Sequence, residues 1–464
     1  MITLQHYFSF LLTLAATALV GIYSFRLIKS PSDFNVGGRK LTTRLVSGSL
    51  IGAFVGGTST VGTAQVAFQC GLSGIWFTLG AGIGCLLMGL FLVKPLRQAE
   101  VDTIPQYLGK YYGTRVVTWA SVYTTLGMFI QIIAQILAAI PLLMVILPVT
   151  SGEAALLATA LMVLYIFFGG FWGTSLVGLF KTVLIYASLG VAGIFSLKMA
   201  GGITGLQNHL SDFPYFTFFP GGLSKELAAV FSVVVGFIST QTYMQVVFAA
   251  KDVRSARNGV LLSGLLIPLI GAASVFIGMY MRAYYPEINA AMALPMFIIN
   301  HLPPLFGGVV LAALLISLVM TGASLTLGVC TTLCQDIYQK LFRQQAGDSE
   351  LLKVARLLVL LVGSSALTVV LSHYNSLILQ WAFLSMALRG VTVFFPLMAA
   401  VFYQGKVPPR AALVAITISP AVAAIWPFWQ PVRIEPLYLG LAISLISLYL
   451  GSLGNSKELI NKKM

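Results

Sequence analysis

Apolar runs of about 18 to 28 residues follow one another along nearly the whole chain, long enough for each to cross a bilayer as a helix. Short polar clusters separate them. Only 9% of the 464 residues are charged, against roughly 25% in soluble domains. So little charge cannot cover a water-facing surface, and lipid must be the solvent for most of the chain. We read thirteen spans, at 5–27, 45–69, 73–95, 117–147, 154–170, 174–198, 227–249, 258–281, 306–333, 354–372, 376–403, 411–430 and 436–453. The stretch 286–302 reads as a short helix on the outer surface, ended by Pro303 and Pro304. The expected fold class is an all-α polytopic membrane protein forming one transmembrane domain over 1–464.

The net charge of +14 raises the question of nucleic acid, and the placement of the charges answers it. With the loop after the first span assigned to the cytoplasm, 21 of the 27 Lys and Arg residues fall on that side and only Lys198, Lys225, Arg282 and Arg433 on the other. This is the positive-inside pattern. It predicts an outside N-terminus, a cytoplasmic C-terminus, a multi-pass protein of the cell membrane (the inner membrane in a bacterium) and no nucleic-acid partner. The apolar run from Tyr7 to Ile28 has its positive charges after it and no convincing cleavage site, so it reads as a first span rather than a signal peptide. Cys70, Cys85, Cys330 and Cys334 fall within or at the edges of apolar runs and read as small buried hydrophobes.

Two spans are poor continuous helices. The second places Gly52, Gly56 and Gly57 ahead of Thr58, Ser59, Thr60 and Gly62; the seventh places Gly236 ahead of Ser239, Thr240, Gln241 and Gln245. Glycine weakens a helix and hydroxyl side chains compete for its backbone bonds. The glycines of the second span would also serve as a small-residue packing face. The matching defect in the seventh favours unwound backbone lining a cavity, the only place lipid tolerates it. Paired discontinuous helices in two inverted repeats hold the substrate in many transporters. The spacing suits repeats over 45–198 and 227–403, with an extra helix and loop at 1–44 and further helices at 404–464.

Several segments together resemble the sodium:solute symporter family, relatives of the proline, sugar and sialic-acid symporters. They are DFNVGGRKL from Asp33, VDTIPQYLGKYYG from Val101, the Gln131/Gln135 helix, YIFFGG from Tyr165, MQVVFAAKDVRSARNG from Met244, LPPLFGGVVLAALL from Leu302 and TTLCQDIY from Thr331. The resemblance runs from about Asp33 to Arg410. It implies a LeuT-type fold of 5+5 inverted repeats and import driven by sodium. Its sodium site would use the backbone carbonyls of Gly52 and Val55 with the hydroxyls of Ser317 and Thr321. Three positions depart from the family pattern: Met320 stands where a serine is expected, Gly178 where an aspartate is, and Lys181 where a glutamine is. A thioether is a poor ligand for a hard cation, and an ammonium near these oxygens can stand in for the ion. The coupling ion is therefore left open between sodium, a proton and none, with no bound cofactor.

Lys181 and Arg389 are the two cations that fall inside spans, and on this topology none of the thirteen acidic residues lies at their depth. A mid-membrane Lys or Arg costs about 2.5–3.5 kcal/mol on insertion scales. The missing partner of Arg389 is then the solute, and guanidinium suits a planar carboxylate. We expect a small organic anion held by Arg389, with Thr58, Ser59, Gln131, Gln135, Ser239 and Gln241 in support. The alternative is a sodium symporter for a neutral solute such as an amino acid or sugar. Lys181 is assigned to the ion site. An enzyme is not expected: His6, His209, His301 and His373 lie at span ends or in loops, and no catalytic constellation accompanies them. A channel or a transporter-fold sensor is the alternative from another class.

Overall fold

In the computed structural model, residues 2–25, 39–101, 103–429 and 434–461 are described. Residues 33–38 of the first family-like segment, and Arg26, Lys29, Asp102, Arg433, Lys462 and Lys463, lie outside them, as do the side chains of 167–176. The described chain is helical. Helix α1 is Leu4–Phe25, and α2 (Thr43–Phe54) with α3 (Thr63–Cys70) makes the second span. There follow α4 (Trp76–Leu87), α5 (Ile104–Tyr112), α6 (Thr114–Ile146) and α7 (Ser151–Met199). Next come α8 (Leu223–Ile238), α9 (Gln241–Phe248), α10 (Val253–Tyr284), α11 (Ala293–His301) and α12 (Pro304–Thr332). Helices α13 (Asp348–His373), α14 (Ile378–Phe402), α15 (Pro409–Trp429) and α16 (Pro436–Asn461) complete the bundle.

Ten helical lengths among the described residues are long and apolar enough to cross a membrane, or eleven if the bent α8–α9 pair is one span. This differs from the thirteen expected for two reasons. Thr58–Gln98 is one apolar length of 41 residues, turned at Gly71, whose φ of +64° suits glycine. Ser151–Ile166 is short. The helical pattern of α7 also runs on through 170–174, where the sequence suggested a connection. Yet α7 is not one straight rod. Met162 packs where a Cβ on Gly322 would lie, and Lys181 bonds the neighbouring Thr321. Nineteen residues of straight helix would separate Met162 from Lys181 by about 28 Å, too far for both to reach one turn of α12. Helix α11 is also more enclosed than expected: Ala293, Leu294, Pro295, Phe297 and Ile298 are buried, with Phe297 edge-on to Tyr280 at 5.5 Å.

The loops sort to two ends. At the basic end, Leu41 pairs with Ala250, Arg97 Nε donates to Ala250 O at 2.7 Å, and Tyr112 Oη donates to Pro396 O at 3.2 Å. Helix α5 starts there because Thr103 accepts from the Gln106 N–H and Pro105 occupies the first turn. At the opposite end, Tyr7 Oη donates to Ile146 O and Trp76 Nε1 to Phe218 O. Large apolar side chains such as Leu4, Ile194, Leu265 and Leu450 cover the outside. The inside is packed through small residues. A Cβ on Gly52 would lie 2.8 Å from Gly178 Cα, so α2 and α7 meet backbone to backbone beside the first break.

Candidate solute and ion sites

Helix α2 ends at Val55, whose ψ of 98° is extended. Helix resumes as a wide turn over Thr58–Gly62 before α3. The break leaves carbonyls without helical partners. The Gly56 N–H, which would have bonded Gly52 O in a continuous helix, donates instead to Ser59 Oγ at 3.0 Å. Ser317 Oγ donates to Val55 O at 2.6 Å, and Thr321 Oγ1 lies 3.4 Å from Gly52 O and 3.5 Å from Val55 O. The four candidate ion ligands, Gly52, Val55, Ser317 and Thr321, are thus brought into one cluster.

Lys181 enters this cluster from α7. Its Nζ donates to Gly52 O at 2.6 Å, Thr321 Oγ1 at 2.9 Å and Ser317 O at 3.0 Å. A lysine ammonium has three donors, and all three are matched. Gly178, one turn before, leaves room for α2 to come this close. Met320 packs with Val177, Ile316 and Tyr165, so its thioether is a buried packing group and not a member of the oxygen cluster.

The second break falls between α8 and α9, which bend by 42° at Ser239 and Thr240. Arg389, on α14, is fully buried beside it. Its Nη1 donates to Thr240 Oγ1 at 2.7 Å, its Nη2 to Ser385 Oγ at 2.8 Å, and its Nε to Ser385 O at 3.1 Å. A fourth contact, from Nη2, is to the Met386 thioether at 3.3 Å. Guanidinium has five donors, so one N–H on Nη1 has no match among the described residues. No carboxylate lies within ion-pair distance of Lys181 or Arg389 among those residues. Gly127 on α6 lets the arginine lie flat against it, since a Cβ there would meet Arg389 Cγ at 2.5 Å.

The other predicted solute residues divide into two groups. Gln131 and Gln135 on α6 both direct Nε2 at Thr58 Oγ1, at 3.4 Å, and Gln135 Oε1 accepts the Gly57 N–H at 2.8 Å. Gln131 Oε1 and Ser239 Oγ are buried with no partner, which is costly unless something else fills the role. By contrast, Ser59 bonds only its own turn, through Gly56, and Gln241 Oε1 accepts the Ile104 N–H at 2.9 Å. Gln241 therefore fastens α9 to the start of α5 at the basic end.

Aromatic residues missed by the sequence reading fill the space between the breaks. Phe54 stacks on Phe77 at 5.2 Å and approaches Phe237 at 5.6 Å and Tyr243 at 5.8 Å; Phe237 stacks on Tyr243 at 4.5 Å. Phe54 and Phe237 each stand just before a break, a signal visible in the sequence. A cavity of about 220 Å³ opens toward the end opposite the basic loops, lined among others by Gln65, Leu137, Ile140, Asn289, Tyr374 and Ile378. It touches none of the predicted site residues. Gln65 lies seven residues beyond Thr58 on the same span, about 10 Å along a helix, and its Oε1 accepts the Ile378 N–H at 3.0 Å. Among the described residues no group of His, Cys, Asp and Glu could hold a metal ion.

The family model for the sodium:solute symporter family matches residues 34–418. The osmoregulated proline transporter OpuE of Bacillus subtilis (strain 168) is 27% identical over 445 residues, covering 89% of this chain and 86% of that protein. The high-affinity proline transporter PutP of the same organism is 24% identical over 428 residues, covering 88% and 89%. A Na+-coupled sialic acid symporter, solved in a substrate-bound outward-open state, superposes with a TM-score of 0.81 at 17% identity over 98% of both chains. Mhp1, a nucleobase-cation-symport-1 transporter in a closed conformation, gives 0.56 at 11% identity over 92% of this chain and 96% of its own. At these identities the two structures establish the fold alone, an all-helical LeuT-type bundle.

Proposed function

The chain belongs to the sodium:solute symporter family, and on that premise we propose that it carries a small carboxylate-bearing organic solute across the cell membrane by alternating access. Secondary active transport, and not catalysis, follows from membership itself. The anionic class of the solute is our reading. It is carried by one observation: the buried Arg389 has no carboxylate partner and keeps an Nη1 donor beside a break whose next residue, Ser239, has an unpartnered hydroxyl. A solute carboxylate placed there would neutralise the charge and take both donors. Gln131 Oε1, an unpaired acceptor one turn from Gly127, suits a donor elsewhere on the same solute. Phe54, Phe77, Phe237 and Tyr243 would enclose its apolar body.

We place the basic end in the cytoplasm by the positive-inside rule. The cavity at the other end is then the entry from outside, and the contacts of Leu41, Arg97 and Gln241 form the closed inner side. The two breaks fall at corresponding places in repeats over 45–198 and 227–403. A second reading, a neutral solute, is favoured by the four bonds that Arg389 makes within the protein.

Counterflow in proteoliposomes loaded with a panel of carboxylates and matched neutral analogues separates the two. The anionic reading expects carboxylates to exchange and Arg389→Gln to weaken their apparent affinity tenfold or more. Unchanged affinity for every exchanging carboxylate in Arg389→Gln sinks it and leaves the neutral reading.

A further inference from the structure

Membership implies sodium as the coupling ion, and the oxygens that would take it can be tested for fit. They do not fit a free cation. The Lys181 ammonium already sits on Gly52 O, Ser317 O and Thr321 Oγ1. Ser317 Oγ is turned onto Val55 O, closing the remaining carbonyl with a neutral donor. A second cation at this place would lie within a few ångströms of the ammonium in a low-dielectric interior. At 4 Å, two unit charges repel by about 4 kcal/mol even at an effective dielectric of 20. Position 320, where the family pattern expects a serine hydroxyl, carries a thioether packed with Val177, Ile316 and Tyr165.

We infer that Lys181 is itself the cation of this site, carried on the chain instead of taken from solution. The consequence for the breaks is direct. An ion-binding break is held together only while its ion is bound, whereas here the ammonium permanently links the end of α2 to α12 through α7. The three donors of Lys181 are all spent on this link, so the residue has none left for the solute. The site therefore imposes no sodium requirement. Any sodium used by this protein must bind at other ligands. The inference rests on the transporter reading but not on the class of solute.

Sodium itself is the probe. The purified full-length protein, with no solute added, is melted in sodium, potassium and choline chloride, beside Lys181→Ala and Thr321→Ala. The wild-type midpoint is expected to be the same in sodium and choline. Lys181→Ala, which leaves an oxygen cage without its cation, is expected to melt lower in choline and to regain part of the loss in sodium. Sodium stabilisation of the wild type that Thr321→Ala removes would overturn the assignment, and so would a folded Lys181→Ala that ignores sodium. If Lys181→Ala does not fold, the other two proteins decide. A sodium response present in the wild type and absent in Thr321→Ala overturns the assignment; the same response in both upholds it. An error in the solute class would leave all these results unchanged, whereas it would appear in the Arg389→Gln counterflow.

Discussion

Lys181 and Arg389 are both fully buried, both sit beside a helix break, and neither has a carboxylate partner among the described residues. They differ in what surrounds them. Two of the three acceptors of Lys181 are backbone carbonyls, Gly52 O and Ser317 O. The two hydroxyl acceptors of Arg389 have other work: Thr240 Oγ1 also donates to Gly236 O at 2.6 Å, and Ser385 Oγ to Gly127 O at 2.5 Å. A cation whose donors are all met by groups with few alternatives is part of the framework. A cation with a donor in hand, on groups that keep bonds without it, is free to take a ligand. The same residue chemistry thus yields a structural ion in one half of the site and a candidate solute anchor in the other.

The largest expected effect breaks this comparison by removing charge at constant bulk. Lys181→Met orphans up to three buried acceptors, at about 1–3 kcal/mol each, so the purified variant should melt far below the wild type. Arg389→Met should lose less than half as much, because Thr240 and Ser385 keep their own bonds; equal losses would erase the distinction. Gly52→Ala comes next. Its Cβ would meet the Gly178 backbone at 2.8 Å, a strain of about 1–3 kcal/mol that should also loosen Lys181, read as a lower melting midpoint. The smallest effect is outside both regions. The Ser255 backbone N–H, at 2.7 Å, holds the Asp252 carboxyl below its ordinary value. Because that pKa is depressed, the cap it makes on α10 is complete at neutral pH and fades only as pH falls through the depressed value. Asp252→Ala should flatten that acid-side decline slightly and leave the neutral midpoint almost unmoved.

Much of this plan was legible from residue types alone. Glycines followed by hydroxyls marked both breaks, because such residues are weak helix formers wherever they stand. Charges inside apolar runs marked Lys181 and Arg389 for the same local reason. The partners were not legible, since they depend on helix rotation and on contacts between distant segments. Gln241 looked like a solute ligand and instead holds the start of α5. Ser59 looks inward in sequence but closes its own turn. Position 320 belongs to the ion site in the family pattern, yet Met320 packs with Tyr165 and Val177. The span count differs because Thr58–Gln98 is one apolar length and Ser151–Ile166 is short, although the sequence separates spans at 69–73 and at 170–174.

One melting experiment tests the contrast between the two cations most directly. The wild type, Thr321→Ala and Arg389→Gln are melted in sodium and in choline, each with and without an exchanging carboxylate. A ligand that binds only the native state raises the midpoint. The account predicts a wild-type midpoint that ignores sodium, rises with the carboxylate in either salt, and no longer rises in Arg389→Gln. A midpoint raised by sodium through Thr321, with a carboxylate response that survives Arg389→Gln, would contradict it.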